Sequence, residues 1–182
     1  MITQAIIEQC QRGETSAQRK VFAAYGGVLF KVAWRYLHER MAAEDAVAQG
    51  FAKAFREMAK CQFDSAAKLE AWLRRIVVNE ALGILREQKR WNWTELKEAE
   101  DQPSQLEDQL SELSAAEILQ LIAGLPPGYR AVFNLALIEG YSHQEIAQML
   151  NISEGTSKSQ LSKARSFLQK KLSNLYRHDY QK

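Results

Sequence analysis

The chain has 182 residues, 24 Lys and Arg against 22 Asp and Glu, and a net charge of +2. That length fits one domain of ordinary size or two small helical ones, no apolar run approaches a membrane span, and the opening MITQAIIEQCQRGE lacks the basic start and long apolar core of a secretory signal. Three prolines and few β-branched runs point to an all-α protein, and Cys10 and Cys61, with no metal-ligand spacing, read as reduced thiols of a cytosolic protein.

The small net charge conceals a pattern. Residues 1–93 hold 15 Lys/Arg and 10 Asp/Glu, residues 94–117 hold 1 and 8, and residues 118–182 hold 8 and 4. Two basic modules joined by an acidic strap is the layout this suggests, although an acidic linker can equally serve solubility alone.

In chain order, residues 2–11 predict a short amphipathic helix stopped by Gly13. Thr15 and Gln18 then offer a capping box for a helix running to about Leu37, with Val21, Phe22, Tyr25, Val28, Leu29, Val32, Ala33 and Tyr36 at helical spacing. Gly26-Gly27 inside it marks an expected kink or close helix contact. Residues 42–59 are the cleanest amphipathic helix. Ala43, Ala46, Val47, Gly50, Phe51, Ala54, Phe55 and Met58 form its apolar face, and Glu44, Asp45, Gln49, Lys53, Arg56 and Glu57 the polar one. By pattern alone it is an ordinary surface helix.

A loop, KCQFDSAA, carries Phe63 into a helix from about Lys68 to Arg90. Leu69, Leu73, Ile76, Val77, Ala81 and Ile84 mark the buried side of that helix; Trp72, Arg75, Asn79, Leu82 and Arg86 line a second stripe. An aromatic, an amide and arginines beside an aromatic-bearing loop suit unstacked bases, because rings stack, Asn pairs with base edges and Arg neutralises phosphate. The same residues also suit a buried Trp with solvated arginines.

Residues 91–111, with Pro103 and the charge run, read as linker. Ser114 and Glu117 cap ILQLIAGL, Pro126-Pro127 opens PGYRAVFNLALI, and Glu139-Gly140 ends it, giving a four-helix module of about residues 112–177. Its last two helices lie in YSHQEIAQMLNISEGTSKSQLSKARSFLQK. Ser142 and Glu145 cap the first, Asn151-Ile152 breaks it, and Ser153 caps the second. There Ser157, Leu161, Ala164, Leu168, Leu172 and Leu175 share one stripe, while Ser159, Ser162, Lys163, Ser166 and Lys170 lie opposite. Small hydroxyls and lysines on one helix face can enter a major groove, lysines meeting phosphates and Ser, Gln and Lys meeting base edges. The pattern is that of a DNA-binding helix-turn-helix.

Together these stretches resemble a small sigma factor of bacterial RNA polymerase, of the extracytoplasmic-function (ECF) type within the sigma-70 family. AAEDAVAQGF resembles the helix that binds the polymerase β′ clamp coiled coil, and FDSAAKLEAWLRRIVVNEALGILR the segment that opens and reads the −10 promoter element. LPPGYRAVFNLALIEGYSHQEIAQMLNISEGTSKSQLSKAR resembles the −35 reader. The resemblance implies an all-α protein: a first domain over residues 1–93, a flexible acidic linker over 94–111 threading the polymerase channel, and a helix-turn-helix domain over 112–182. It implies core contacts at Glu44, Asp45, Gln49 and Phe51. It implies −10 contacts at Phe63, Asp64, Ser65, Trp72, Arg75 and Asn79, the loop residues holding a flipped base, and −35 contacts at Lys158, Ser159, Ser162, Lys163 and Ser166. The implied partners are core RNA polymerase (β′ clamp and β flap), promoter DNA and an anti-sigma factor, with no cofactor and no membrane insertion. Gly83, Ala48 and Gln160 depart from the Asp, Gln and Arg of many relatives; the last would remove a charge from the recognition helix. A free-standing helix-turn-helix regulator is the competing reading, but it gives the Trp72–Arg75–Asn79 stripe no task. An enzyme acting on nucleic acid is disfavoured, since the sequence offers no metal-ligand cluster, phosphate-cradling Gly loop or nucleophile–base pair.

Overall fold

The computed structural model describes residues 2–87 and 114–179, with side chains placed for residues 2–87, 114 and 117–173. The acidic stretch 94–111, the side chain of Leu175 and the expected end of the fourth helix near Arg90 lie outside what it describes. The chain divides into two compact units, Met1–Gln88 and Lys89–Lys182. Among the described residues every regular element is helical.

In the first unit, α1 (Gln4–Gln11) is capped by Thr3, whose Oγ1 accepts from the Ile6 amide at 3.4 Å. It stops at Gly13, whose φ of +83° a side chain would resist. α2 follows (Thr15–Leu37). The expected Thr15–Gln18 capping box does not form: Thr15 is already helical, and the N-cap is Glu14, whose carbonyl accepts from Ala17 and Gln18 at 3.0 Å each. The chain enters the helix one residue early because Gly13 has already turned it. Helix α2 runs unbroken through Gly26-Gly27, and the expected close helix contact is absent: a methyl on Gly26 would meet only Phe22 of the same helix, and one on Gly27 nothing within 4 Å. Phe22 and Val28, expected on its apolar face, are instead exposed, while the Phe22 ring leans on Phe51 at 4.8 Å between centroids.

α3 (Arg40–Glu57) begins two residues before the expected start and tightens into a 3-10 turn, Met58–Lys60. α4 (Ala66–Glu87) packs against α2 and α3. Its buried face is broader than the single expected stripe. Leu69, Leu73, Val77 and Ala81 are joined by Val78, Leu82 and Leu85, while Ile76 and Ile84 are only half-buried. Leu82, placed on the exposed stripe by spacing, is a core residue. A helix wedged between two others buries more of its circumference than one lying on a surface. Each fully buried aliphatic side chain stabilises the bundle by about 1.5–3 kcal/mol.

Helices α3 and α4 approach closely at Gly50. A methyl on Gly50 would come within 2.7 Å of Val77 Cγ2 and 3.4 Å of Val77 Cα. Alanine favours a helix over glycine by about 1 kcal/mol, but here the β-branched Val77 cannot swing away. Gly50→Ala should therefore lower the stability of the chain by about 1–3 kcal/mol in chemical denaturation, the scale of core overpacking. Stabilisation by Gly50→Ala would show that the two helices separate without cost.

In the second unit, α5 (Ala115–Ala123) starts with the expected Ser114–Glu117 capping box. α6 (Pro127–Phe133) opens at Pro127 and passes into a π turn, Asn134–Ile138, where the Glu139 amide reaches Asn134 O at 2.9 Å. Periodicity predicts one continuous helix there; the five-residue bond widens its last turn. α7 (His143–Leu150) and α8 (Glu154–Asp179) complete the unit. Leu121, Ile122, Val132, Phe133, Leu135, Ile146, Leu150, Leu161, Ala164, Leu168 and Leu172 supply its core.

Candidate nucleic-acid interface

The α7–turn–α8 pair is built as the sequence predicts. Ser142 N donates to Glu145 Oε2 at 2.8 Å, closing the capping box, and Asn151 adopts the left-handed conformation at φ 54°, ψ 51°. The Thr156 amide then donates to Ser153 Oγ at 2.9 Å, capping α8. One clip is not legible from pattern: His143 Nδ1 and Ser157 Oγ, fully buried, share a hydrogen bond at 2.8 Å. It ties the first turn of α7 to the first turn of α8. Arg130 is a second unforeseen contributor. Buried at 6% exposure, it donates from Nη1 to the Ala123 and Leu125 carbonyls at 2.9 and 3.3 Å, closing the C-terminal end of α5. A cation on orphan carbonyls at the negative end of a helix is favourable twice over. Its signal was a lone Arg inside an otherwise apolar helical run.

On α8, Lys158, Ser159 and Lys170 are exposed, and Ser162, Lys163 and Ser166 are half-buried; Lys158 flanks the core stripe and the others lie opposite it. Gln160 is 5% exposed and faces inward with Ser157 and Ala164. This corrects the expectation that Gln160 lies among the groups meeting base edges: a neutral residue there leaves the charge of the outer face untouched. Spacing i, i+3, i+7 with Ser157 and Ala164 was the available signal. Ser159 and Lys158 are among the outer groups already engaged. Ser159 Oγ donates to Thr156 O at 3.0 Å, and Lys158 Nζ sits 2.7 Å from Glu154 Oε1. That bond and charge hold the Glu154 carboxyl below its usual range.

The first unit presents a different surface. The Cys61–Ser65 loop leads into α4, with Ser65 capping it: the Lys68 amide donates to Ser65 Oγ at 3.3 Å and the Leu69 amide to Ser65 O at 3.2 Å. Asp64 is exposed and ion-paired with Lys68, which holds its carboxyl low. Phe63 is buried, its ring 5.1 Å from that of half-buried Trp72. The loop that the resemblance makes a holder of a flipped base thus folds the Phe63 ring inward, against Trp72. Arg75 and Asn79 are exposed on the same side of α4 as Trp72, one and two turns on. On α3, Glu44, Asp45 and Gln49 are exposed, whereas Phe51 is 3% exposed, packed between Phe22 and Phe55. Phe51 can shape that surface but does not itself present a contact.

Two compact helical units, the second with a helix-turn-helix whose outer face carries hydroxyls and lysines, define a two-domain DNA-binding protein. Residues 21–90 match the family described as Sigma-70 region 2, and residues 115–168 match Sigma-70, region 4. The chain is 27% identical to the RNA polymerase sigma-H factor of Pseudomonas aeruginosa, over 96% of this chain and 95% of that one. It is 28% identical to the ECF RNA polymerase sigma factor SigW of Bacillus subtilis (96% and 99%) and to the ECF RNA polymerase sigma-E factor of Escherichia coli (96% and 96%). Its fold is similar to that of CnrH, solved with the cytosolic domain of CnrY (TM-score 0.51, 22% identity, 93% of this chain and 96% of that one). It is also similar to that of the sigma factor RpoE of Bartonella quintana, solved with the anti-sigma factor NepR (TM-score 0.53, 23% identity, 85% and 96%). The chain belongs to the sigma-70 family, as an ECF sigma factor.

Arg130→Met should cost the second unit about 1.5–3 kcal/mol, the range for a hydrogen bond to a charged group, read as a lower thermal midpoint. An unchanged midpoint would mean that water satisfies those carbonyls as well. Glu154→Gln, which releases Lys158, should tighten duplex binding and steepen its salt dependence by about one unit in log–log slope. An unaltered slope would place Lys158 away from phosphate.

Proposed function

We propose that this chain is a transcription initiation factor that binds core RNA polymerase and directs it to particular promoters. The supporting observation is the ordered pair of units: a region 2 match followed by a region 4 match whose helix-turn-helix exposes a basic, hydroxyl-bearing face. A free-standing regulator would need only the second unit. The match of residues 21–90 to region 2 leaves that reading without support.

In this reading the second unit reads the −35 element through Lys158, Ser159, Ser162, Lys163 and Ser166, lysines on phosphate and hydroxyls near base edges. The first unit holds unpaired −10 bases against Asp64, Ser65, Trp72, Arg75 and Asn79, with Phe63 anchoring the loop from below. Glu44, Asp45 and Gln49 face the polymerase clamp over a surface that Phe51 shapes, and the β flap is the partner of the second unit. The protein acts in the cytoplasm and is not itself a catalyst; among the described residues no helix is long and apolar enough to cross a membrane. By analogy with RpoE and NepR, an anti-sigma factor holds it inactive. The acidic residues 94–111 connect the two domains and occupy the basic channel of the polymerase as a nucleic-acid mimic.

Run-off transcription with core polymerase, followed by sequencing of transcript starts, tests the function directly; specific duplex binding with no affinity for core enzyme would overturn it. Lys163→Ala and Ser159→Ala should each weaken −35-dependent promoters by about 1–3 kcal/mol, and unchanged promoter preference in both would remove them from the reading face. Asn79→Ala should reduce permanganate reactivity of unpaired thymines far more than it reduces core binding or thermal stability, because its contact forms only after a base leaves the stack. Melting that falls only in step with stability would make Asn79 structural.

A further inference from the structure

Helix α1 stands outside both reading surfaces, and neither its sequence pattern nor its charge assigns it a task. At eight residues it is too short to be stable alone. Ile7 and Cys10, 0% and 1% exposed, seat it in the core of the first unit. Gln4 and Gln11 lie seven residues apart, two helical turns, and so project from the same side. Both amides reach the same loop: Gln11 Nε2 donates to Cys61 O at 2.6 Å and lies 3.5 Å from Met58 O, while Gln4 Nε2 donates to Phe63 O at 2.9 Å.

The pattern of these bonds matters. They hold the carbonyls of Cys61 and Phe63, alternate residues of the segment, while Gln62 and Asp64 between and beyond them are exposed. The other flank is fixed separately, by the Ser65 cap on α4, by Phe63 against Trp72, and by the Tyr25 hydroxyl, which donates to Ala66 O at 3.2 Å. Loop carbonyls at a surface are satisfied well enough by water. Side-chain amides that replace that water add position, and a binding group must be held within about 0.5 Å to discriminate its ligand.

From this arrangement we infer that α1 is the strut that sets the height of the base-holding loop, with Gln4 and Gln11 as positioning residues for readout of one unpaired −10 base. The inference rests on the site reading above. Neither glutamine touches DNA; each acts through the backbone of Cys61–Ser65.

The test uses holoenzyme and a fluorescent single-stranded oligonucleotide carrying the −10 segment of a promoter mapped by run-off transcription. A matched set replaces one base at a time by an abasic site. The quantity read is the affinity ratio, intact over abasic, at the most sensitive position; a variant that merely lowers the folded fraction leaves this ratio unchanged. Gln4→Glu and Gln11→Glu keep the side-chain shape but cannot donate when ionised. Each should shrink a ratio of about tenfold, the worth of one good base contact, toward unity, with affinity for core polymerase retained. Gln4→Lys and Gln11→Lys, which restore a donor, should recover it. An unchanged ratio in both Glu variants, alongside a loss in Asp64→Ala or Ser65→Ala, would overturn the strut and leave the loop as base reader. No loss in Asp64→Ala, Ser65→Ala or Asn79→Ala either would overturn the site reading and the strut with it.

Discussion

A helix leaves four amides over at its start and four carbonyls at its end, and the described helices have no sheet to take them up. That constraint shapes both units. Side chains close the ends at Thr3, Ser65, Ser114, Ser142 and Ser153, and Arg130 closes the far end of α5 from within the core. In Ser142 and Ser114 the cap is reciprocated by a glutamate three residues on, so one side chain satisfies the helix and the other satisfies the cap. The helices proposed to face nucleic acid begin at such closed ends: α8 starts at Ser153, and α4 at Ser65. A reading helix whose first turn is fixed presents its side chains at a fixed depth.

Electrostatics supports the same division of labour. The outer face of α8 is basic but not strongly so, and Lys158 spends part of its charge on Glu154. Few phosphates can be neutralised by such a face, so a small duplex affinity is expected of it alone. The side of α3 proposed to face the clamp is instead acidic at Glu44 and Asp45, although Arg40 lies 2.8 Å from Glu44 across one turn. A small duplex affinity beside a separate acidic surface fits the proposal that the chain binds promoters as part of an assembly.

Much of this was legible from residue order because helices declare themselves locally. The capping boxes at Ser114 and Ser142, the break at Asn151 and the cap at Ser153 fall where spacing puts them, since each depends on residues within four positions. What sequence could not supply involves contacts across the fold. Burial of Leu82 depends on α4 being wedged between two helices; the inward turn of Phe63 depends on Trp72; the inward face of Gln160 and the clip from His143 to Ser157 depend on how α7 meets α8. Thr15 failed as a cap for a local reason that pattern reading undervalues: the turn at Gly13 had already set the helix going. The assigned contacts on α3, α4 and α8 rest on family resemblance, with their exposure compatible at every position except Phe51 and Phe63, which support their surfaces from beneath.

The two cysteines lie in unlike surroundings. Burial pushes the Cys10 thiol up to about 11, so at neutral pH about one molecule in ten thousand carries the thiolate, the form that reacts. Cys61 is half-buried on the loop that α1 holds, its Sγ within 3.6 Å of Glu57 O. A thiol-directed dye therefore discriminates between them without any engineering. The unaltered polypeptide carries its own attachment point at the rim of the surface proposed to hold unpaired bases, from which fluorescence can follow that loop.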